Sequence, residues 1–221
     1  MGTQTADLTV AVQDYLKAIY ALESAGERVT TSALAARMGV SAPSATAMTK
    51  RLAELGLVER SPYRGVALTE EGSRGALEVL RHHRLLERYL MDRLGLSLDE
   101  VHAEADRLEH ALSEELEARI DAELGFPTHD PHGDPIPDRD LRVESGRGRT
   151  LVDLEPRERA AVSRVPDGDP ELLRYLSELG LVPGAGVELV SQAPFGGPVT
   201  VRTDRGEHAI SRELAGRISA A

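Results

Sequence analysis

The sequence predicts a mainly α-helical protein with a winged helix-turn-helix at its start, a helical dimerisation domain in the middle and a small C-terminal β-barrel. Three observations support this fold. Aromatic residues make up only 3% of the chain and there is no Trp, so the core must be built from Leu, Ala and Val, which suit helix packing. Apolar residues recur at helical spacing up to about residue 124. Beyond residue 150 the pattern changes to short alternating or β-branched runs.

Composition excludes several classes of protein. The chain contains no Cys, so it can form neither a disulfide framework nor a thiolate site, and any metal must be held by nitrogen and oxygen ligands. No apolar run is long enough to span a bilayer, and MGTQTADLTV lacks the regions of a signal peptide. We therefore expect a cytoplasmic protein with no membrane partner. The net charge of -11 does not exclude DNA, which needs only a local basic surface.

Three helices are expected before Gly56. An amphipathic pattern covers residues 8–25, a short helix covers 32–38 and ends at Gly39, and a third helix is capped by Ser41. A helix, a Gly-containing turn and a helix of small residues are typical of a helix-turn-helix. The same geometry also occurs in proteins that never touch DNA.

The exposed side of the third helix is suited to reading DNA, because its short side chains allow close entry into the major groove. β-prone pieces at 57–60 and 66–69, joined by a turn over 61–65, form the predicted wing. Between residues 28 and 64 basic residues outnumber acidic ones, so this part of the chain can contact DNA phosphates. The candidate DNA-binding residues are Ser41, Pro43, Ser44, Ala47, Lys50, Arg51, Tyr63 and Arg64.

A long helix over residues 70–94 carries the first candidate metal ligands. His83 and Glu87 are four residues apart and therefore lie on one face, from which both can reach one ion. A short loop leads into the next helix, and antiparallel helices joined so closely pack together. His83 and Glu87 are therefore expected to approach His102.

The next helix is expected to carry VHAEADRLEH, residues 101–110. Two imidazoles and two carboxylates stand at positions i, i+4, i+7 and i+8 and so line roughly one face of it. Such a face can hold a divalent cation, although charge runs on helices are usually solvated polar faces. The four residues are His102, Asp106, Glu109 and His110.

The remaining elements follow from pattern and composition. The leucine-rich stripe over 112–124 suggests a dimer interface. Residues 125–150 are rich in Pro, Gly and charge and are interpreted as a linker whose first half is pinned to the domain and whose second half is flexible. His129 and His132 could be metal ligands, although isolated loop histidines usually are not. A small five-stranded barrel is expected, with bounds predicted for four strands over 151–154, 159–165, 187–191 and 199–203. Turns at 183–184, 196–197 and 205–206 divide the strands, and a helix over 170–179 is capped by Asp169.

The winged helix, HHRLLERYL, VHAEADRLEH, DPHGDPIP and a terminal small barrel follow one another in this order. With them the chain resembles, over nearly its whole length, the diphtheria toxin repressor and manganese transport regulator family of metal-dependent repressors. GDPELLRYLSELGLVPGAGVELV is similar to the FeoA-type barrel of the longer members. Four segments are accordingly expected: a DNA-binding domain over 1–75, a metal-binding and dimerisation domain over 76–140, a linker over 141–150 and the FeoA-like domain over 151–221.

The resemblance implies two metal sites per subunit. A primary, activating site would use Asp14 from the first helix, a residue that by itself fits an ordinary acid near a helix start. The barrel would supply one or two acids to the second site, although a capping acid such as Asp169 needs no metal to explain it. The implied primary ligands are Asp14, Asp106, Glu109 and His110, and the implied second-site ligands are His83, Glu87 and His102 with Asp169 and Glu171.

The implied metal is Mn²⁺. Asp14 stands where iron-type members have Met and Asp106 where they have Cys, so hard oxygen ligands replace both sulfur ligands. Fe²⁺ and Co²⁺ are the alternative ions. Lys17 occupies the position of an acid that helps short manganese-type members bridge two ions, which favours two separate sites.

The resemblance thus implies a homodimeric, Mn²⁺-responsive repressor that controls metal homeostasis, binds a palindromic double-stranded operator and is not an enzyme. Its implied DNA contacts include Ser41, Pro43 and Ser44, whereas Ala47 stands where some members have Gln. Three alternatives stand beside this interpretation. They are an iron-responsive regulator of the same family, a helical-bundle metalloenzyme and a winged-helix regulator that needs no metal.

Overall fold

The computed structural model describes residues 8–61, 65–143 and 148–221, which form two compact units. The first unit comprises residues up to His82 together with Glu109–Leu112 and Pro137–Arg142. The second comprises His83–Leu108, Ser113–Ile136 and Val143–Ala221. Across the described ranges, no helix combines the length and the apolar character needed to cross a membrane.

The first unit is built from short capped helices and a hairpin. Thr30 caps the second helix, and Ser41 caps the third by accepting from the Ser44 N–H. Gly39 takes a left-handed conformation between them, with φ of 63°. The elements are α1 (Val10–Ser24), α2 (Thr31–Met38), α3 (Ala42–Glu54), the antiparallel strands β1 (Val58–Ser61) and β2 (Gly65–Leu68), and the start of α4 (Glu70–Leu94).

The core of the first unit follows the apolar stripes of its helices. Leu16 and Ile19 from α1 are fully buried, as are Leu34 from α2 and Leu52 from α3. They pack in one hydrophobic cluster with residues of the hairpin. Burial of this stripe holds the polar side of α1, which carries Asp14, at a fixed rotation.

The expected continuous helix over residues 101–110 is wrong in one respect. α5 (Val101–Leu108) ends early, and Glu109–Ala111 form a tighter 3₁₀ turn. Ser113 then caps α6 (Glu114–Glu123) by accepting from the Leu116 N–H. A 3₁₀ turn rotates the chain by more degrees per residue than an α-helix, so the α-helical periodicity of VHAEADRLEH does not extend to Glu109 and His110.

The second unit ends in a five-stranded antiparallel sheet of order β6-β5-β4-β3-β7. Leu173, Leu176, Leu181 and Leu189 are fully buried in its core. Its elements are β3 (Arg159–Arg164), α7 (Pro170–Glu178), β4 (Gly186–Gln192), β5 (Val199–Thr203), β6 (Gly206–Ile210), α8 (Arg212–Ala215) and β7 (Ser219–Ala220).

Two expectations for this sheet are corrected. Residues 151–153 form a 3₁₀ turn instead of a strand, because Thr150 and Asp153 make a reciprocal capping box at its start. Among the strands described, no ladder joins β6 to β7, so a closed barrel is not found. β6, β7 and α8 were not anticipated as elements.

The loop over residues 126–136 is held against β3. The Val165 N–H donates to the His132 carbonyl, and the Ile136 N–H donates to the Thr128 carbonyl. Gly133 has a φ of 91°, and a Cβ built on it would lie 2.0 Å from the Ser163 carbonyl oxygen. This loop is therefore an ordered part of the second unit, with a conformation that requires glycine at position 133.

Candidate metal centres and DNA-binding surface

The first cluster of candidate ligands joins α1 to the 3₁₀ turn within the first unit. Asp14, Glu109 and His110 each offer a ligand atom, and these atoms all lie within 4.8 Å of one another. The Nε2 atom of His110 is 3.0 Å from Oδ1 of Asp14 and 3.4 Å from Oε1 of Glu109. Two carboxylates and one imidazole are ligands that suit a divalent transition metal such as Mn²⁺.

Gln13 orients the imidazole of this cluster. Its Oε1 atom lies 2.5 Å from Nδ1 of His110, and the residue is buried. An amide oxygen only accepts, so Nδ1 must carry the hydrogen, and the Nε2 lone pair of the neutral ring then faces Asp14 and Glu109. The sequence analysis missed Gln13, because a glutamine beside an acid in a helix gives no signal of this role.

Lys17 contacts the same cluster. Its Nζ atom lies 2.8 Å from both Oε1 and Oε2 of Glu109. The Glu109 side chain is only 1% exposed, whereas the Lys17 side chain is 23% exposed. A buried carboxylate needs a charged partner, and Lys17 supplies a positive charge in this structure.

The second cluster lies on α4 and α5 in the second unit. The Oε1 atom of Glu87 is 2.9 Å from Nε2 of His83 and 3.0 Å from Nδ1 of His102, and these two nitrogens are 3.0 Å apart. Neighbouring ligand atoms around an octahedral ion with bonds of about 2.1 Å lie at about this separation. The three side chains thus converge as ligands of one ion do.

Asp106 is grouped with this second cluster. Its Oδ1 atom is 3.4 Å from Nδ1 of His83, and its Oδ2 atom is 3.7 Å from Nε2 of His102. Ligand atoms of these three residues lie within 4.8 Å of one another. The resemblance implies a primary site that contains Asp106 together with Asp14; Asp106 belongs to the second unit and Asp14 to the first.

A third cluster, Glu87, Asp130 and His132, is fully buried in the second unit. Oε2 of Glu87 lies 3.6 Å from Nδ1 of His132, beyond hydrogen-bonding distance. These two atoms and Oδ2 of Asp130 are buried and have no hydrogen-bond partner. Since Nε2 of His132 contacts the Leu98 carbonyl oxygen at 3.0 Å, Nδ1 is the ring nitrogen that faces Glu87. The sequence analysis left His132 open as a possible ligand and did not anticipate its complete burial.

The pKa values of the three residues in the third cluster are strongly shifted. Burial, reinforced by the negative charges of Glu87 and Asp134, raises the pKa of Asp130 to about 8. Burial lowers the pKa of His132, but the neighbouring Glu87 carboxylate outweighs it and raises that pKa to about 9. Burial also opposes ionisation of Glu87, yet its contacts with His102, His132 and His83 hold its pKa well below the usual range. An ionised carboxylate buried among imidazoles is an environment that a cation can stabilise.

The two acids proposed from the sheet domain are placed differently. Oδ1 of Asp169 accepts from the backbone N–H groups of Glu171 and Leu172, at 2.9 and 3.3 Å, and caps α7. Both Asp169 and Glu171 are exposed. Neither belongs to any cluster of three candidate ligands found in the described residues. Helix capping accounts for Asp169 without a metal.

The candidate DNA-binding residues on α3 form one exposed surface, which we call the α3 surface. Oγ of Ser41 lies 2.8 Å from Oγ of Ser44 at the start of the helix, and Nζ of Lys50 lies 3.8 Å from Oε1 of Glu54. Tyr63 and Arg64 lie outside the described residues. The exposed members are Ser41, Pro43, Ser44, Ala47, Lys50 and Arg51.

Three families match successive parts of the chain. Residues 7–66 match the iron dependent repressor, N-terminal DNA binding domain. Residues 69–138 match the iron dependent repressor, metal binding and dimerisation domain. Residues 149–221 match the FeoA domain. DNA binding, metal binding and dimerisation are thus all part of the family description.

Individual relatives agree with these matches. The iron-dependent repressor IdeR of Mycobacterium tuberculosis is 34% identical over 224 residues, which cover 95% of this chain and 96% of the relative. A solved structure of a manganese-dependent transcriptional repressor in complex with manganese is 41% identical, with a TM-score of 0.85 and coverage of 95% and 99%. A structure of ScaR with bound Zn²⁺ is 30% identical, with a TM-score of 0.81 and coverage of 95% and 98%.

The order of the domains, the similarity over nearly the whole length and the clusters of candidate ligands all agree. The relatives are transcriptional repressors and not enzymes. The chain therefore belongs to the iron-dependent repressor family, a family of metal-dependent, DNA-binding transcriptional repressors that includes the diphtheria toxin repressor.

Proposed function

We propose that this protein is a cytoplasmic, Mn²⁺-responsive repressor that binds palindromic double-stranded operator DNA as a homodimer. One observation carries the choice of metal. Every ligand atom gathered around Asp14 and around Glu87 is a carboxylate oxygen or an imidazole nitrogen. Carboxylates favour hard ions such as Mn²⁺, and the intrinsic affinity order of divalent metals places Mn²⁺ lowest, so ligand type and geometry must provide the selectivity.

We place the activating ion at Asp14, Glu109 and His110. The convergence of their ligand atoms within 4.8 Å supports this assignment, and Gln13 directs a lone pair of His110 into the cluster. When bound, a divalent cation would neutralise the two carboxylates and cross-link α1 to the 3₁₀ turn. Asp14 then contributes the only ligand from α1, and the opposite face of that helix packs in the core, so the ion ties the 3₁₀ turn to a helix whose rotation is already set.

We place a second ion beside Glu87. Its Oε1 atom faces His83 and His102, and its buried Oε2 atom faces His132 without a hydrogen bond. Unpartnered buried ligand atoms are costly unless a cation or a proton satisfies them. Asp106 faces the other ring nitrogens, Nδ1 of His83 and Nε2 of His102, so it lies outside the set that surrounds Glu87. Asp130 completes the side of His132. Asp169 and Glu171 are left to helix capping and to the charge of the first turn of α7.

We propose that α2, α3 and the β1–β2 hairpin form a winged helix-turn-helix, with the α3 surface in the major groove. Short exposed side chains and the flanking Lys50 and Arg51 support this placement. The four segments 1–75, 76–140, 141–150 and 151–221 describe the domains in this scheme. For the dimer interface we propose a helical face of the second unit, because Met91, Leu94, Leu108 and Leu116 are exposed there.

An iron-responsive repressor is the second candidate function. The 34% identity to the iron-dependent repressor IdeR favours it, whereas the 41% identity to a manganese-dependent repressor favours Mn²⁺. Metal-dependent DNA binding measured with Mn²⁺, Fe²⁺ and Co²⁺ under anaerobic conditions separates the two. A response to Fe²⁺ at lower free-ion concentrations than to Mn²⁺ would favour the iron-responsive candidate.

The test of the activating site is the variant Asp14→Asn. We expect it to weaken Mn²⁺-dependent operator binding at least tenfold, because a neutral amide replaces a charged ligand. Fluorescence anisotropy with labelled operator DNA, titrated with Mn²⁺, measures the effect. Asp169→Asn is the matched control, since Asn also caps helices, and it should respond to Mn²⁺ as the unaltered protein does. An unchanged Mn²⁺ response in Asp14→Asn would refute the assignment.

A further inference from the structure

The ion pair between Lys17 and Glu109 lies directly at the proposed activating site. The Lys17 ammonium is 2.8 Å from both carboxylate oxygens of Glu109, and Oε1 of Glu109 is also 3.4 Å from Nε2 of His110. One carboxylate oxygen therefore faces both the lysine and the cluster. Each Glu109 oxygen that an ion could bind already has a positive partner within the protein.

The position of Lys17 on α1 directs its side chain toward this cluster. Lys17 follows Asp14 by three residues, so both side chains emerge on the same side of the helix. The buried face of α1 packs in the hydrophobic core of the first unit and fixes the rotation of the helix. The ammonium is thus delivered to the cluster by the same helix that delivers the Asp14 ligand.

We propose that Lys17 is an internal counter-cation that competes with the activating metal for Glu109 and thereby sets the metal concentration at which the repressor responds. In the metal-free protein its ammonium neutralises the buried carboxylate. Binding of a divalent cation requires Lys17 to release at least one Glu109 oxygen and adds a second positive charge nearby. Lys17 is a positioning residue in this scheme and not a ligand.

The charges at the site determine whether removal of Lys17 strengthens or weakens metal binding. Without Lys17, the metal-free protein must bury the Glu109 carboxylate without its positive partner, which destabilises that form. The metal-bound form loses less stability when Lys17 is removed, because the divalent cation itself neutralises Glu109. Removing the lysine charge should therefore strengthen metal binding while it weakens the metal-free fold. If Lys17 only stabilised the fold, its removal would leave Mn²⁺ affinity unchanged. If it organised the ligands, its removal would weaken Mn²⁺ binding.

The experiment compares Lys17→Met, which keeps the chain length and removes the charge, with Lys17→Arg, which keeps the charge. Mn²⁺ affinity of the full-length protein is measured by competition with a fluorescent chelator, and the melting temperature is measured with and without Mn²⁺. We expect Lys17→Met to bind Mn²⁺ on the order of tenfold more tightly than the unaltered protein. Without metal it should melt at a lower temperature, and added Mn²⁺ should raise its melting temperature by more than it raises that of the unaltered protein. Lys17→Arg should resemble the unaltered protein.

Equal or weaker Mn²⁺ binding by Lys17→Met would overturn the proposal. If that variant does not fold, Lys17→Gln takes its place with the same expectations. The inference rests on the proposed activating site, so Asp14→Asn is titrated in the same assay. If Asp14→Asn loses no bound ion, the proposed site fails; if it loses one and Lys17→Met gains no affinity, only the role of Lys17 fails. In the double variant Asp14→Asn with Lys17→Met, the gain in affinity should disappear.

Discussion

At the scale of single residues, the contact between Gln13 and His110 decides which imidazole nitrogen faces the activating site. We predict that Gln13→Leu lowers Mn²⁺ affinity about 10- to 100-fold, the range seen when a partner that orients a metal ligand is lost. Isothermal titration with Mn²⁺ measures the change. Gln13→Glu keeps an acceptor oxygen for Nδ1 of His110 and should retain most of the affinity. Equal affinities for the Leu and Glu variants would exclude an orienting role.

The sequence alone identifies ligands that are close in the chain better than those that are distant. The spacing of His83 and Glu87 places both on one face of α4, and they do meet in the structure. Gln13 reaches His110 across 97 positions of sequence, so no local pattern could pair them. Asp130 and His132 lie in a loop whose burial depends on packing against β3, and composition there indicates only a linker.

At the scale of secondary-structure elements, the loop over residues 126–136 depends on one glycine. Gly133→Ala would place a Cβ 2.0 Å from the Ser163 carbonyl at a φ of 91°. We predict a loss of about 1–3 kcal/mol of unfolding free energy from strain and overpacking, measured by urea denaturation. Gly168→Ala is the matched control, because its Cβ would have no neighbour within 4 Å. Equal stability of the two variants would contradict the packing described for this loop.

Helix positions were predicted well from apolar periodicity, and the one clear change in a helix end is that of α5. The predicted range of α4 matches the structure at both ends, Glu70 and Leu94. The change from α5 to a 3₁₀ turn at Glu109 could not be read from VHAEADRLEH, because side-chain periodicity there fits an α-helix equally well.

At the scale of the whole molecule, the resemblance to a repressor family correctly predicted the function, because the order of motifs along a chain is preserved in its sequence. Whether the terminal sheet closes into a barrel could not be predicted from the sequence. Closure requires edge strands to pair, and both edge strands, β6 and β7, lie in segments with no clear predicted strand. Alternating patterns predict strands but carry no information on which strands become neighbours.

The final prediction concerns the coupling of metal and DNA across the full-length protein. If Mn²⁺ raises operator affinity by a given factor, operator DNA must raise Mn²⁺ affinity by the same factor, because the two bindings form one thermodynamic cycle. Both factors are measured at one salt concentration, since phosphate contacts make DNA affinity salt-dependent, and at protein concentrations that keep the dimer assembled. We expect coupling factors of roughly 5 to 150.

Asp14→Asn makes this test specific to the proposed site. If the Asp14 carboxylate carries the coupling from the 3₁₀ turn to α1, both factors should fall together toward one in the variant, while DNA binding without metal stays near that of the unaltered protein. Asp169→Asn, which retains the cap of α7, should leave both factors unchanged. A variant that lost metal affinity but kept its full coupling factor would show that the communicating contact lies elsewhere than at Asp14.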